Sequence, residues 1–204
     1  MDQRTATTRL LDAAEELFYA RGVQAVGMDE IRAASGVSLK RLYQCFPSKE
    51  QLVVGYLRRR DERWRDSLAR SVTTRARGAE QVLAVFDWLH EWFSEPGFHG
   101  CAFLNSFGEL GATSPAVAAA VRDHKAEVQR YLTTLLTDTD EPRTDRKASE
   151  RKALAEPKAA AEREALAEQL NVLAEGAITT AAITGTPAPA RHARAAAEAL
   201  LAHR

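Results

Sequence analysis

The sequence predicts an all-α protein, and three observations support that fold class. Apolar residues recur at intervals of three and four positions along the 204 residues, which is the spacing of helix faces. Runs of β-branched residues bounded by turn residues, which would indicate strands, are missing from the sequence. Capping residues before the apolar stripes and glycines after them divide the chain into segments of helical length.

The composition is that of an ordinary folded protein. Hydrophobic residues make up 45% of the chain and charged residues 27%, which is enough apolar material for a core. The sequence contains no run of eighteen apolar residues and no signal-peptide stretch, so we expect no membrane partner and a cytoplasmic location. The two cysteines, Cys45 and Cys101, lack the spacing of a zinc site, so we expect no metal and no cofactor.

The N-terminal part of the chain predicts four helices separated by clear boundary signals. Gly22 ends the first, and Gly36 ends the second in a position suited to a tight turn. Ser38 is a capping residue for the third helix. Ser48 opens the fourth as part of a capping box with Gln51. The predicted bounds are about 4–21, 29–35, 38–45 and 48–74.

The remainder predicts further helices with similar boundary signals. Pro96-Gly97 ends the first of them, while Ser114-Pro115 and Thr186-Pro187 each combine a cap with a proline at the start of a helix. The apolar stretch Gly100–Leu110 predicts a buried segment. The other predicted helices cover about 79–94, 115–137, 159–184 and 187–203.

Charge divides the chain into a basic head and a more acidic body. Residues 1–60 hold ten Lys and Arg against seven Asp and Glu. We predict one domain at 1–47 and a second at 48–204. Residues 138–158 carry twelve charged side chains, six of each sign, and predict either a mobile connection or a solvated helical extension. The last two helices are rich in alanine, which favours close packing in a homodimer, although their faces could instead cover the core of one chain.

The informative motif lies at residues 28–46. Two short helices meet there at Gly36, and residues such as Ile31 and Leu42 are spaced to pack inward, which is helix-turn-helix geometry. The outer side of the second helix is polar and basic, which suits phosphates and base edges in DNA. The predicted DNA-binding residues are Ser38, Leu39, Lys40, Arg41, Tyr43, Gln44 and Lys49.

Five of these side chains match a particular feature of duplex DNA. Arg41 or Lys40 can donate to the O6 and N7 edge of guanine, and Leu39 can contact a thymine methyl group. Tyr43 can donate to a phosphate oxygen. Lys49 adds positive charge to a helix N-terminus that already favours phosphate.

The stretch GVSLKRLYQCFPSKEQL at residues 36–52 resembles the signature of the TetR/AcrR family of bacterial transcriptional regulators. The resemblance covers about the first sixty residues. It implies a homodimer with one head per subunit on a double-stranded DNA operator, a C-terminal domain for dimerisation and for binding an unknown small-molecule effector, and most often repression. Three places depart from the family pattern. One is Lys40-Arg41, where many members carry Gly and Thr or Ala, which implies a different operator. Met28 stands where a capping Thr or Ser is usual, and Arg32 replaces a small residue, so it must point outward or pair with an acid.

The resemblance also implies an effector site among the aromatic residues of the body. Aromatic side chains at helical spacing are equally consistent with an ordinary core. His124 could contact an effector or Glu109, or it could be a histidine satisfied within the core. The candidate effector-binding residues are Phe86, Trp92, Phe103, Asn105, Phe107, His124 and Tyr131.

The sequence therefore predicts a transcriptional regulator rather than an enzyme, and specifically a homodimeric repressor that an effector releases from a palindromic operator. One alternative is an activator, or a regulator without an effector. Another is an enzyme or carrier that uses Cys101, His99 or His124. Residues two positions apart on a helix do not face each other, and a third orienting group is missing, which argues against nucleophilic catalysis by Cys101.

Overall fold

A computed structural model of the protein describes residues 1–78, 80–138 and 146–203. Within these ranges it consists of nine helices without a strand, which confirms the all-α prediction. The helices are α1 (Gln3–Arg21), α2 (Met28–Ser35), α3 (Leu39–Cys45), α4 (Lys49–Arg75), α5 (Glu80–Phe93), α6 (Ala102–Leu110), α7 (Pro115–Asp138), α8 (Arg146–Thr184) and α9 (Ala188–Ala202).

The chain divides into two compact units. Unit 1 contains Met1–Asp66 and His99–Lys125, and unit 2 contains Ser67–Phe98 and Ala126–Arg204. The long helices α4 and α7 therefore contribute residues to both units. The predicted domain boundary between residues 47 and 48 stays a prediction.

The core of unit 1 forms where α1 packs against α2, α3 and the first part of α4. Leu10, Ile31 and Leu42 are completely buried, and each contributes about 1.5–3 kcal/mol by leaving water. The rings of Phe18 and Tyr56 meet edge to face at 5.8 Å and join α1 to α4. The two short helices are thus held by apolar contacts with longer ones.

A cluster of ion pairs also joins α1 to α4. The Glu15 carboxylate accepts hydrogen bonds from Arg59 at 2.8 Å, Arg60 at 3.3 Å and Arg63 at 2.9 Å. Arg59 also donates to Asp12 at 2.7 Å. The side chains of Arg59 and Arg60 are only 15% exposed, so solvent screens these pairs less than typical surface pairs. This cluster holds the middle of α4 against α1.

Unit 2 is built around α5, which packs against α8 and α9. Most of α5 is buried. Small residues allow α9 to lie close to its neighbours, and Arg194 of α9 donates to Asp87 of α5 at 2.8 Å. The buried alanines of α9 are Ala190, Ala193 and Ala197.

The prediction of a wholly buried segment at Gly100–Leu110 is wrong for one side of it. The segment contains α6, in which Phe103 is 3% exposed and Ser106 is 2% exposed. Leu104 is 38% exposed and Phe107 is 46% exposed, because a helix that packs on one side leaves its opposite side in solvent.

The start of α8 also differs from the prediction. Residues 139–145 of the charged stretch 138–158 lie outside the described residues, and Asp138 is the last residue of α7. Residues 146–158 belong to α8, which begins at Arg146 instead of about 159, as the alternative of a helical extension predicts. The helix includes Pro157, which removes one backbone hydrogen bond. Alanine and charged pairs such as Lys158 with Glu162, at 3.7 Å, favour the helix in spite of the proline. Within the described ranges, no helix is both long enough and apolar enough to cross a membrane.

We predict that Gly22→Ala destabilises the protein by about 1–3 kcal/mol. Gly22 has φ 86° and ψ 158°, a conformation that essentially only glycine adopts, and a Cβ there would lie 2.9 Å from Oε1 of Glu109. Urea denaturation of the purified chain measures the effect. Gly108→Ala in α6 is the control, because that Cβ meets no atom within 4 Å and should stabilise the helix by about 0.5–1 kcal/mol. Equal stability of the two variants would contradict the close approach.

Candidate nucleic-acid interface

The turn between α2 and α3 has the geometry that the motif predicted. Gly36 adopts the left-handed conformation, with φ 65° and ψ 18°, and its amide donates to the Arg32 carbonyl oxygen at 3.1 Å. Val37, directly after the turn, is buried. The turn therefore fixes the direction in which α3 leaves α2.

Glu30 supplies the helix cap that Met28 cannot provide. Its Oε1 accepts from the Gly27 amide at 3.1 Å, and its Oε2 pairs with Arg21 at 2.6 Å. The Gly27 hydrogen bond and the Arg21 guanidinium hold the pKa of Glu30 below its ordinary value. Arg32 is exposed and pairs with Asp29 at 3.5 Å, as expected for a charge in that position.

The outer side of α3 carries the predicted DNA-binding residues. Ser38 caps the helix by accepting from the Arg41 amide at 3.4 Å, and Leu42 turns inward and is completely buried. Leu39 and Tyr43, one turn apart, are 47% and 45% exposed. The remaining members are Lys40 and Gln44, which are exposed, and Arg41, which is partly buried.

Positive charge on this surface is not neutralised locally. Arg21 and Arg32, on the neighbouring helices, are each paired with an acidic side chain. By contrast, neither Lys40 nor Arg41 has an acidic partner within ion-pair distance among the residues that the structure describes. An exposed helix that combines unpaired cations with apolar and phenolic side chains is suited to phosphates and base edges.

Lys49 lies beside this surface but is tied to the connection between α1 and α2. Its ammonium group donates to the Gln24 carbonyl oxygen at 3.5 Å. Partial burial lowers the pKa of Lys49, and the nearby carboxylates of Glu109 and Glu30 oppose that shift. Ser48, which precedes it, caps α4 by accepting from the Gln51 amide at 3.2 Å.

Glu109, at the end of α6, was not predicted as a functional residue. Its Oε1 accepts from the Val23 amide at 3.0 Å, and its Oε2 accepts from the Gln24 amide at 2.6 Å. The Gln24 side chain donates to the main-chain oxygen of Glu109 at 2.6 Å. A contact between residues 85 positions apart leaves no local pattern in the sequence, so sequence analysis could not find it.

His124 is a buried histidine that is hydrogen bonded to Asp61 rather than to Glu109. Its Nδ1 lies 2.7 Å from Oδ1 of Asp61, and its ring stacks on Phe103 at 3.6 Å. Burial lowers the pKa of His124 to about 4, although Asp61 opposes the shift. Burial alone would raise the pKa of Asp61, but hydrogen bonds from Arg65 and His124 together lower it. His124 is therefore neutral near pH 7 and donates to the carboxylate.

The other effector-binding candidates in unit 1 also have identified surroundings. Phe103 stacks on His124. Asn105 is exposed and donates to the His99 carbonyl oxygen at 3.0 Å. Phe107 is exposed on the outer side of α6.

Three candidates lie in unit 2. Phe86 and Trp92 are buried in α5, and Trp92 stacks with Trp88 at 5.6 Å. Tyr131 is partly buried, and its hydroxyl has no hydrogen-bond partner within the described part of the chain. Burial raises the pKa of Tyr131. A buried hydroxyl without a partner is an energetic cost that a bound ligand can remove.

The residues of the enzyme alternative have separate partners. Sγ of Cys101 accepts from the Leu104 amide and lies 3.5 Å from the Lys125 ammonium group. The His99 ring packs edge to face against Tyr19, and His124 pairs with Asp61. Across residues 1–78, 80–138 and 146–203 no three His, Cys, Asp or Glu side chains are grouped as metal ligands.

Two family profiles match the chain. The profile of bacterial regulatory proteins of the tetR family matches residues 10–55. The profile of the tetracyclin repressor-like C-terminal domain matches residues 78–197. Together these matches include the helix-turn-helix motif and most of the remaining chain.

Proteins similar in sequence to this chain are named as transcriptional regulators. The chain is 30% identical over 168 residues to an uncharacterised HTH-type transcriptional regulator of Mycobacterium tuberculosis, covering 70% of this chain and 80% of that protein. It is 36% identical over 118 residues to the HTH-type transcriptional activator FasR of Mycolicibacterium smegmatis. That second match covers 56% of this chain and about half, 51%, of FasR.

Solved structures have the same fold. A TetR-family transcriptional regulator from Streptomyces coelicolor matches with a TM-score of 0.80 and 27% identity, covering 98% of this chain and 96% of that one. E. coli NemR in its reduced form matches with a TM-score of 0.76 and 20% identity, covering 96% of each chain.

We predict that His124 makes the protein less stable as the pH falls from 6.5 towards 4. In this window the unfolded chain protonates the histidine but the folded chain does not, because the folded pKa is about 4 against an ordinary 6.5. The free energy of unfolding should fall by about 1.4 kcal/mol per pH unit from this group. Urea denaturation between pH 7 and pH 4 measures the slope.

His124→Gln, which keeps a donor for Asp61, should reduce this slope. His203→Gln, at an exposed position directly after α9, controls for the loss of an imidazole and should keep the slope of the wild type. The same slope in His124→Gln and wild type would show that His124 does not titrate below its ordinary pKa.

Proposed function

The chain belongs to the TetR family of bacterial regulatory proteins, and from this premise we propose that α3 reads a palindromic operator in the major groove of double-stranded DNA. The protein is a DNA-binding transcriptional regulator. The observation that supports the proposal best is the outer side of α3, where unpaired Lys40 and Arg41 lie beside exposed Leu39 and Tyr43.

The proposed contacts divide into base reading and backbone binding. Arg41 or Lys40 donates to a guanine edge, and Leu39 contacts a thymine methyl group. Ser38, Tyr43 and Gln44 donate to phosphates or base edges, and Lys49 attracts a phosphate to the start of α4.

A homodimer supplies two such helices. On unit 2 an open groove of about 350 Å³ lies between α8 and α9, and it is lined mainly by small and apolar residues that include Val172, Ala177 and Ala193. Val172 is 65% exposed and Ile183, on the same helix, is 80% exposed. Apolar side chains this accessible on a helix beside an open apolar groove are typical of an interface between subunits. We propose that a second copy of the chain covers this face.

A small-molecule effector is proposed to bind in unit 2. Phe86 and Trp92 provide apolar contact surface, and the hydroxyl of Tyr131 is a buried polar group in need of a partner. Asn171 of α8 also has a buried oxygen without a partner among the described residues. Of the four candidates in unit 1, Phe103 and His124 are buried against each other and contact an effector only if it separates them. Asn105 and Phe107 are exposed.

Repression with release by the effector is the proposed sign of regulation. Activation is the second candidate, because the named activator FasR is 36% identical over the matched residues. Both functions use the same operator contacts, so they differ in the position of the operator relative to the promoter. A DNA-binding regulator acts on the bacterial chromosome, so the proposed location is the cytoplasm. The proposal includes no catalytic reaction.

The direct test is selection of duplexes from a random pool by the purified full chain at physiological salt. We expect enrichment of a palindrome whose half-sites are separated by about one helical turn, roughly 34–36 Å, because a two-fold dimer presents two copies of α3. Failure to enrich any sequence would contradict DNA reading by this chain. Enrichment of a single half-site would contradict the dimer.

Arg41→Ala should relax the preference at one base of each half-site by about 1–3 kcal/mol. The guanidinium group of Arg41 can bind the edge of a guanine through two hydrogen bonds. Competition between the enriched duplex and versions substituted at each base measures the change. Arg58→Ala on the exposed side of α4 is the matched control, since it removes the same charge away from α3. An unchanged base preference in Arg41→Ala would remove Arg41 from base reading.

A further inference from the structure

Helix α6 is attached to the DNA-binding part of unit 1 at both of its ends. Before its first residue, the Tyr19 hydroxyl donates to the Gly100 carbonyl oxygen at 2.9 Å and accepts from the His99 amide at 3.0 Å. At its other end, Glu109 accepts from the amides of Val23 and Gln24. Helix α6 thus touches α1 at one end and the connection between α1 and α2 at the other.

The Glu109 carboxylate determines the path of that connection. Val23 and Gln24 lie between helices, so their amides lack the carbonyl partner that a helix would provide. Val23 is 2% exposed, and water cannot easily replace the missing acceptor. Each carboxylate oxygen binds one amide, and hydrogen bonds to a charged acceptor are stronger than neutral ones.

The same connection leads directly to the DNA-reading helices. It ends at Gly27, where α2 begins, and α3 follows after one tight turn. Its Gln24 carbonyl oxygen binds the ammonium group of Lys49, the proposed phosphate contact. Gln24 is therefore held through its amide by α6 and through its carbonyl by α4.

The turn between α6 and α7 also contacts α4. Ser114, which caps α7, donates a hydrogen bond to the Glu50 carboxylate in the first turn of α4. A shift of α6 would consequently disturb the contacts of both Gln24 and Glu50.

Resting on the proposed function, we propose that Glu109 is a positioning residue that couples α6 to the DNA-reading helices. Its carboxylate holds the connection at Val23 and Gln24, which sets where α2, α3 and Lys49 lie. A displaced α6 releases or carries along this connection and so weakens operator binding.

The direction of the effect separates this role from a simple charge effect. Removing a negative charge near a DNA-binding surface strengthens binding to any duplex, because repulsion from phosphates decreases. Loss of positioning weakens binding to the operator alone. The two explanations therefore predict opposite changes in operator affinity for Glu109→Gln.

The test compares Glu109→Gln with Glu16→Gln in the full chain, using the duplex enriched by the wild type and a scrambled duplex. Glu16 is exposed on α1, so Glu16→Gln removes the same charge from the same unit. We expect Glu109→Gln to lose at least about tenfold in operator affinity, the loss of one charge-assisted hydrogen bond, with scrambled-duplex binding unchanged or tighter. Operator affinity equal to that of Glu16→Gln, or higher, would overturn the proposal.

Amide hydrogen exchange of the wild type provides a second measurement if the variant does not fold. The Val23 and Gln24 amides should be protected in the free protein and at least tenfold more protected in the operator complex. Exchange of these amides at unprotected rates in the complex would overturn the role of Glu109. If the wild type enriches no duplex at all, the proposed function fails first, whereas normal selection by both wild type and Glu109→Gln contradicts only the coupling.

Discussion

The DNA-binding surface depends on one constraint, which is that α2 and α3 are too short to be stable by themselves. They have eight and seven residues, whereas isolated helices below about 12–15 residues are marginal in water. Their positions are therefore set by what they pack against. Ile31 and Leu42 bury the inner sides against α1 and its neighbours, and the ion pairs of Glu15 hold α4 against α1. The outer side of α3 is therefore available for side chains that contact a partner.

Exposed apolar side chains indicate surfaces on which a partner can bind. Leu39 and Tyr43 stay about half exposed in the isolated chain, and contact with bases and phosphates is their proposed role. The same reasoning applies to Val172 and Ile183 on α8, where a second subunit is the proposed partner. Phe107 of α6 is a third case, and it shows that exposure alone does not identify the partner. The hydrogen bonds that the described residues make with α6 lie at its two ends and do not explain the ring.

Local signals in the sequence predicted most helix boundaries, and long-range contacts could not be predicted at all. Gly36 and Ser38 act through their own backbone and nearest neighbours, so their turn and cap are visible in the sequence and are found in the structure. The composition of Gly100–Leu110 predicts more burial than the structure has, because composition does not show which side of a helix packs. Proline and charge in the stretch before residue 159 argue against a helix, but helix propensity extends α8 back to Arg146. The contact of Glu109 with Gln24 depends on the folded chain, and nothing near either residue indicates it.

A carboxylate is better suited than an apolar contact to couple α6 to the connection before α2. Apolar surfaces can slide past each other with little change in buried area, and so transmit small displacements poorly. Hydrogen bonds weaken steeply when distance and angle depart from their optimum, and a buried amide left without an acceptor costs about 1–3 kcal/mol. If α6 moves, the amide of Val23 must therefore either follow Glu109 or lose its partner. Gly22 allows the first outcome, because the absence of a Cβ lets Glu109 approach the backbone and leaves the chain conformationally free just before the amides that it holds.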